Sequence, residues 1–231
     1  MHPKVKFKID PKKDISTFFT FLLEKKYDEG RNFSWAILKH YPYFKNFNEN
    51  IDQKIVKDFV FKYYLKNNKA IKKNLGIYQK NWQKIEKDFF KLTDELFFQT
   101  KWPKGKYIAY TTMWSMYPRF LEDKTFQIPA ISKKKKILNF IIAHEMMHFI
   151  FYEYFLAKYK KYKSHKYDFF VWHVSEIFNV IIMNRPEWQK IIKNIDDGYP
   201  EHRKIIKKLS KKDYSLDDLI DNIILEVNEI N

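Results

Sequence analysis

The chain has 231 residues, of which 45% are hydrophobic and 19% aromatic, with no cysteine and a formal net charge of +16. Such core-forming content excludes an intrinsically disordered chain, and the lack of cysteine excludes a disulfide scaffold and thiolate-bound metal, leaving His and carboxylates as the available metal ligands. The basic excess is lysine: only Arg31, Arg119, Arg185 and Arg203 are arginine among 44 basic residues, and arginine is the side chain of bidentate base and phosphate contacts, so a nucleic-acid partner is disfavoured.

The length allows one large domain or a small one packed on a medium one. Met1-His2-Pro3-Lys4 opens no apolar leader, which predicts a cytoplasmic protein. Val5, Phe7 and Ile9 alternate with lysines and predict a short strand ended by Asp10-Pro11. Asp14 or Ser16 is placed to cap a helix running through Phe18, Phe19, Phe21, Leu22 and Leu23 toward Gly30. A second helix is expected over residues 33–40, before Tyr41-Pro42. Residues 50–67 and 75–99 each carry three-to-four-residue apolar spacing (Ile51, Ile55, Phe59; Trp82, Ile85, Phe89, Leu92, Leu96). Residues 1–100 therefore read as a helical N-terminal region. Thr100-Lys101-Trp102-Pro103-Lys104-Gly105 breaks the pattern and marks the boundary with residues 101–231, unless the whole chain is one compact unit.

Beyond the break, residues 107–113 and 125–128 are rich in β-formers, the second segment closed by Pro129. They read either as a sheet edge along which an extended peptide pairs or as an ordinary core hairpin. Lys133-Lys134-Lys135-Lys136 reads as a solvated first turn. Residues 137–157 form a helix that is apolar on nearly every side, hence a buried one. It has membrane length, but His144, Glu145, His148 and Glu153 are expensive in lipid, so no membrane span is expected. A second strongly apolar helix covers residues 167–183, ended by Asn184-Arg185-Pro186, and two more are expected over residues 201–209 and 216–230.

The chemistry concentrates on the two apolar helices. In His144-Glu145-Met146-Met147-His148 the histidines are four residues apart, about 400° around a helix, and so share one face a turn apart. Glu145 stands beside them, placed to act as a general base toward a water on a metal held by the pair. The competing reading is a core helix whose histidines bond backbone carbonyls and whose Glu pairs with a Lys. The second helix carries His173 and Glu176 at mid-length. Glu176 is the expected third ligand, since three protein ligands leave a catalytic metal an open position. His173 is its rival; otherwise it donates to a developing oxyanion or orients substrate, or is a core histidine bonded to a carbonyl. Asn179 reads as a partner for a ligating histidine or as a solvent-facing amide. His2 and His165 read as exposed.

His144-Glu145-x-x-His148 followed on a second helix by Glu176 resembles the gluzincin branch of the zincin metallopeptidases, over about residues 107–184. The resemblance implies an α+β, predominantly helical fold with a zincin-like core made of a small sheet, the His-bearing helix and the Glu-bearing helix. It implies one zinc ion on His144, His148 and Glu176, with Glu145 polarising the attacking water and passing its proton to the leaving amine of a peptide or protein substrate. By the same resemblance Tyr199 or His202 stabilises the tetrahedral intermediate, although residues 196–200 read more simply as a helix-start turn of Asp, Gly and Pro. The Gly-x-Met-Glu-Asn motif of zinc aminopeptidases and the glycine-spaced third His of metzincins are absent. The expectation is a zinc-dependent metallopeptidase-like hydrolase. The alternative is a non-catalytic basic module that binds an acidic protein or nucleic acid, its metal site structural or vestigial.

Overall fold

The computed structural model describes residues 2–23, 34–46, 52–98, 100–132, 137–165 and 169–229; the Lys133–Lys136 run and the start of the second apolar helix, Tyr167 and Asp168, lie outside them. The fold is α+β and mostly helical, with a small mixed sheet of four strands. Two compact units are interleaved along the chain. One comprises Pro3–Asn81 and Gly105–Leu138, the other Met1–His2, Trp82–Lys104 and Asn139–Asn231. The pattern break at residues 100–105 does coincide with a change of unit. The units are not sequential, however, because a strand near the N-terminus pairs with the strand that follows the break.

In the sheet-bearing unit, β1 (Lys6–Lys8) leads into α1 (Pro11–Phe18). Asp10 rather than Asp14 or Ser16 is the N-cap: its carboxylate accepts from the Lys12 N–H at 3.0 Å, and Pro11 supplies a first-turn φ already suited to a helix. A π-helical turn (Phe19–Leu23), α2 (Ser34–Leu38) and the first part of α3 (Gln53–Leu96) follow. Helix α3 is continuous over 44 residues, bridging the two segments expected as separate helices. Strands β2 (Ile108–Thr112), β3 (Arg119–Phe120) and β4 (Thr125–Pro129) complete the sheet in the order β1-β2-β4-β3. β2 pairs parallel with both β1 and β4, whereas β3 runs antiparallel to β4. The hairpin expectation for residues 107–128 is thereby corrected, since the two main strands run parallel; on its other side β2 is paired by β1 along Ile108–Tyr110 and β4 by β3 along Thr125–Phe126.

The core of this unit gathers Phe18, Ile37, Phe44, Val56, Val60 and Trp114. Asp14 sits in the same interior, on the buried side of α1, and is fully buried. Its carboxylate accepts from Tyr64 Oη at 2.8 Å, the Met113 N–H at 2.8 Å and Gln127 Nε2 at 3.1 Å, while Trp114 Nε1 donates to its backbone carbonyl at 2.9 Å. These bonds tie α1, α3 and the sheet together through one side chain.

The second unit is helical: the end of α3, most of α4 (Ile137–Lys158), then α5 (Phe169–Met183), α6 (Pro186–Ile192), α7 (Arg203–Leu209) and α8 (Leu216–Asn228). Ser215 caps α8 by accepting from the Asp218 N–H, and the helix buries Leu216, Leu219, Ile220, Ile223, Ile224 and Val227. Phe151 and Phe97 both pack on Phe178, and Phe89 packs edge-on against Trp188. Tyr154 donates to Asp217, and Tyr159 donates to Asp221 at 2.8 Å, linking the exposed end of α4 to α8. Among the described residues no helix is long and apolar enough to cross a membrane.

Burial pushes the Asp14 carboxyl up to about 7, against the lowering effect of its hydrogen bonds from Thr112, Met113, Tyr64 and Gln127. The folded chain thus keeps a proton there that the unfolded chain releases near pH 4, so this group's contribution to stability is full below about pH 4 and is lost as pH rises through about 7. Asp14→Asn cannot ionise. Urea unfolding at about pH 4.5 and about pH 7.5 is expected to show wild type losing up to a few kcal/mol relative to the variant at the higher pH; equal slopes would mean that Asp14 ionises as an ordinary carboxyl.

Candidate metal centre

Helix α4 is buried around its whole circumference from Phe140 to Tyr152, apart from the rim of His144. The apolar residues that make it so leave its polar groups no water to turn to, and each must find a partner inside the protein. His144 and His148, one turn apart, bring their Nε2 atoms to 3.0 Å from each other. Glu176, on α5, reaches both: Oε2 lies 3.1 Å from His144 Nε2 and Oε1 lies 3.3 Å from His148 Nε2. The side chains are 12%, 0% and 5% exposed for His144, His148 and Glu176.

Tetrahedral coordination with bonds of about 2.0–2.1 Å sets ligand atoms roughly 3.3 Å apart, so the three separations suit a single small divalent cation. Among the described residues this is the group of His, Asp and Glu side chains whose ligand atoms converge in this way, all within 4.8 Å of one another. Desolvation by itself raises the Glu176 carboxyl, but the imidazoles of His148 and His144 outweigh it and hold the group well below the usual carboxylate range. The carboxylate is therefore ionised at neutral pH, the form that binds metal. Glu145 follows His144 directly and is buried beside the pair.

His173, three residues before Glu176 on α5, belongs to a different cluster. Its Nδ1 lies 2.6 Å from Nε2 of His202, which is fully buried. The Trp172 ring packs against both imidazoles and against Tyr199. The segment that delivers Tyr199 and His202 is built by amide clamps. Asn184 donates to the Asp196 carbonyl at 2.7 Å and accepts from its N–H at 3.1 Å, and Gln189 donates to the carbonyls of Met183 and Asn194. Gly198 then turns with φ +68°, where an added Cβ would stand 2.6 Å from Ile206 Cδ1. The Asp-Gly-Pro turn read from the sequence is present, and it carries His202 to His173.

The expected third ligand thus joins the two histidines, and its rival does not. Asn179 is buried rather than solvent-facing, and its Nδ2 donates to the backbone carbonyl of His144 at 3.2 Å, so it braces the helix that carries the ligand and not the ring. His2 pairs with Asp94 at 2.7 Å and stacks on Phe90, while the His165 side chain lies outside the described residues. Sequence reasoning missed the His173–His202 pairing. The two are 29 residues apart, with no shared period to signal it.

No family model, curated protein or solved structure matches the chain. The site accordingly stands on its own geometry.

Elemental mass spectrometry after exhaustive dialysis is expected to find roughly one divalent ion per chain in wild type. His148→Ala and Glu176→Ala should lose it, while His173→Ala should keep it. Loss in His173→Ala with retention in Glu176→Ala would move the third ligand to His173.

Proposed function

We propose that the chain is a zinc-dependent metallopeptidase-like hydrolase whose catalytic unit is the α4–α5 helix pair. The observation that carries the reading is the convergence of His144, His148 and Glu176 on one buried point, with Glu145 on the adjoining position of the same turn. Two neutral imidazoles and one carboxylate suit zinc and leave it an open position. A zinc ion held there supplies Lewis acidity, polarising the scissile carbonyl and lowering the pKa of the attacking water toward neutrality.

The remaining steps belong to the chain. Glu145 accepts the proton of the attacking water and returns it to the leaving amine nitrogen as the C–N bond breaks. Buried beside apolar neighbours, it works in a low-dielectric setting in which proton transfer is strongly coupled to charge development. His173, one turn before Glu176, is paired with His202 in the separate cluster, and this reading gives it no step. The helix pair alone carries the residues this reading uses.

Glu145→Gln is the direct test. It is expected to retain the metal and to lose hydrolysis of a quenched-fluorescent peptide library by about 10²- to 10⁴-fold. A variant as active as wild type would remove Glu145 from the mechanism. A zinc-loaded wild type that cleaves no member of the library would shift the function to binding.

A further inference from the structure

Helix α3 shows, in its part within the sheet-bearing unit, an inward stripe of Val56, Val60, Tyr64 and Ile71. The opposite side is expected to be polar, and most of it is lysine: Lys57, Lys62, Lys66 and Lys69 are all exposed. Three large apolar residues interrupt that side, Ile55 among them. Phe61 is 46% exposed and Leu65, one turn on, is 78% exposed. They are not scattered singly. With Ile9 and Pro11, where β1 passes into α1, they line an apolar cleft of about 250 Å³ that also reaches Tyr64 and Asn68.

The charge around the cleft is predominantly basic. Residues 54–73 hold seven lysines and one acid, Asp58; in the Ile9–Pro11 wall, Asp10 caps α1, with Lys8 and Lys12 exposed on either side of it. The ion pairs found among the described residues engage none of these lysines. An unneutralised basic rim around an apolar cleft has a specific complement: apolar side chains one helical turn apart, flanked by carboxylates.

We propose that this cleft docks an acidic amphipathic segment of a partner protein, whose apolar anchors seat against Phe61 and Leu65 while its Asp and Glu side chains meet the lysine rim. A concave, side-chain-sized cleft favours an inserted anchor over a flat lipid surface. The absence of arginine from the described part of this rim disfavours a nucleic acid, whose phosphates and base edges would call for guanidinium contacts. The surface lies wholly within the sheet-bearing unit and is independent of the metal reading.

The test uses the full chain and a fluorescein-labelled helical peptide of about 16 residues with Leu at i and i+4 and Glu at the flanking positions, read by anisotropy at physiological salt. Saturable binding is expected, weakened about tenfold or more by Leu65→Ser and by Lys62→Glu combined with Lys66→Glu. A control peptide with Ser for Leu should bind as poorly as these variants do. All three side-chain changes lie on the exposed side of α3, so the thermal midpoint should hold and report that the fold is intact. No binding of the acidic peptide, or binding indifferent to Leu65→Ser, overturns the proposal. So does preference for anionic vesicles or single-stranded DNA over the peptide, lost in the same variants.

Discussion

Three ionisable side chains buried between two apolar helices are the constraint around which the helical unit is arranged. A lone carboxylate at the position of Glu176 would be strongly destabilising, and two neighbouring imidazoles would repel each other if both were charged. Brought within about one ligand separation of each other, they offset one another: the histidines hold Glu176 ionised, and Glu176 stabilises whatever positive charge sits between them. The surrounding apolar faces magnify this dependence, since a low dielectric strengthens every interaction made and penalises every one left unmade. Asn179 extends the same logic to the backbone by donating to the carbonyl of His144 from the facing helix.

The sheet-bearing unit solves a similar problem in another way. Asp14 is as deeply buried as Glu176, but its partners are neutral donors: a phenol, a backbone amide, a side-chain amide and a hydroxyl. Those neighbours join three elements around a carboxyl that burial pushes up to about 7. At Glu176 the neighbours are ring nitrogens that carry lone pairs of their own. The chemistry of the neighbours, more than the burial, separates a structural carboxylate from one suited to metal.

Where sequence reading and structure differ, the cause is local ambiguity settled by neighbours distant in the chain. Asp14 has the composition of a helix cap, but Asp10-Pro11 provides both cap and first turn, and Asp14 is drawn inward by donors from α3 and the sheet. The polar stretch around Asn67 and Asn74 reads as a gap between helices. It contains no proline, its lysines are good helix formers, and Ile71 is buried, so α3 runs through. Residues 107–113 and 125–128 were legible as strands, but pairing direction depends on what lies between and beside them, and β1 arrives from the other side of the α3 segment.

By itself the sequence determined what repeats within one helical turn or one strand pleat: the shared face of His144 and His148, the all-round burial of α4, the strand character of β2 and β4, and the position of the break near residue 104. These follow from periods of 3.6 and 2 residues, which need no knowledge of the rest of the chain. Only the tertiary structure decided that Glu176 and not His173 meets the histidines, that His173 turns to His202, that Asn179 braces α4, and that Asp14 lies in a core. Each of those outcomes depends on which face of one element meets which face of another, a choice made by packing across tens of residues and not by spacing along the chain.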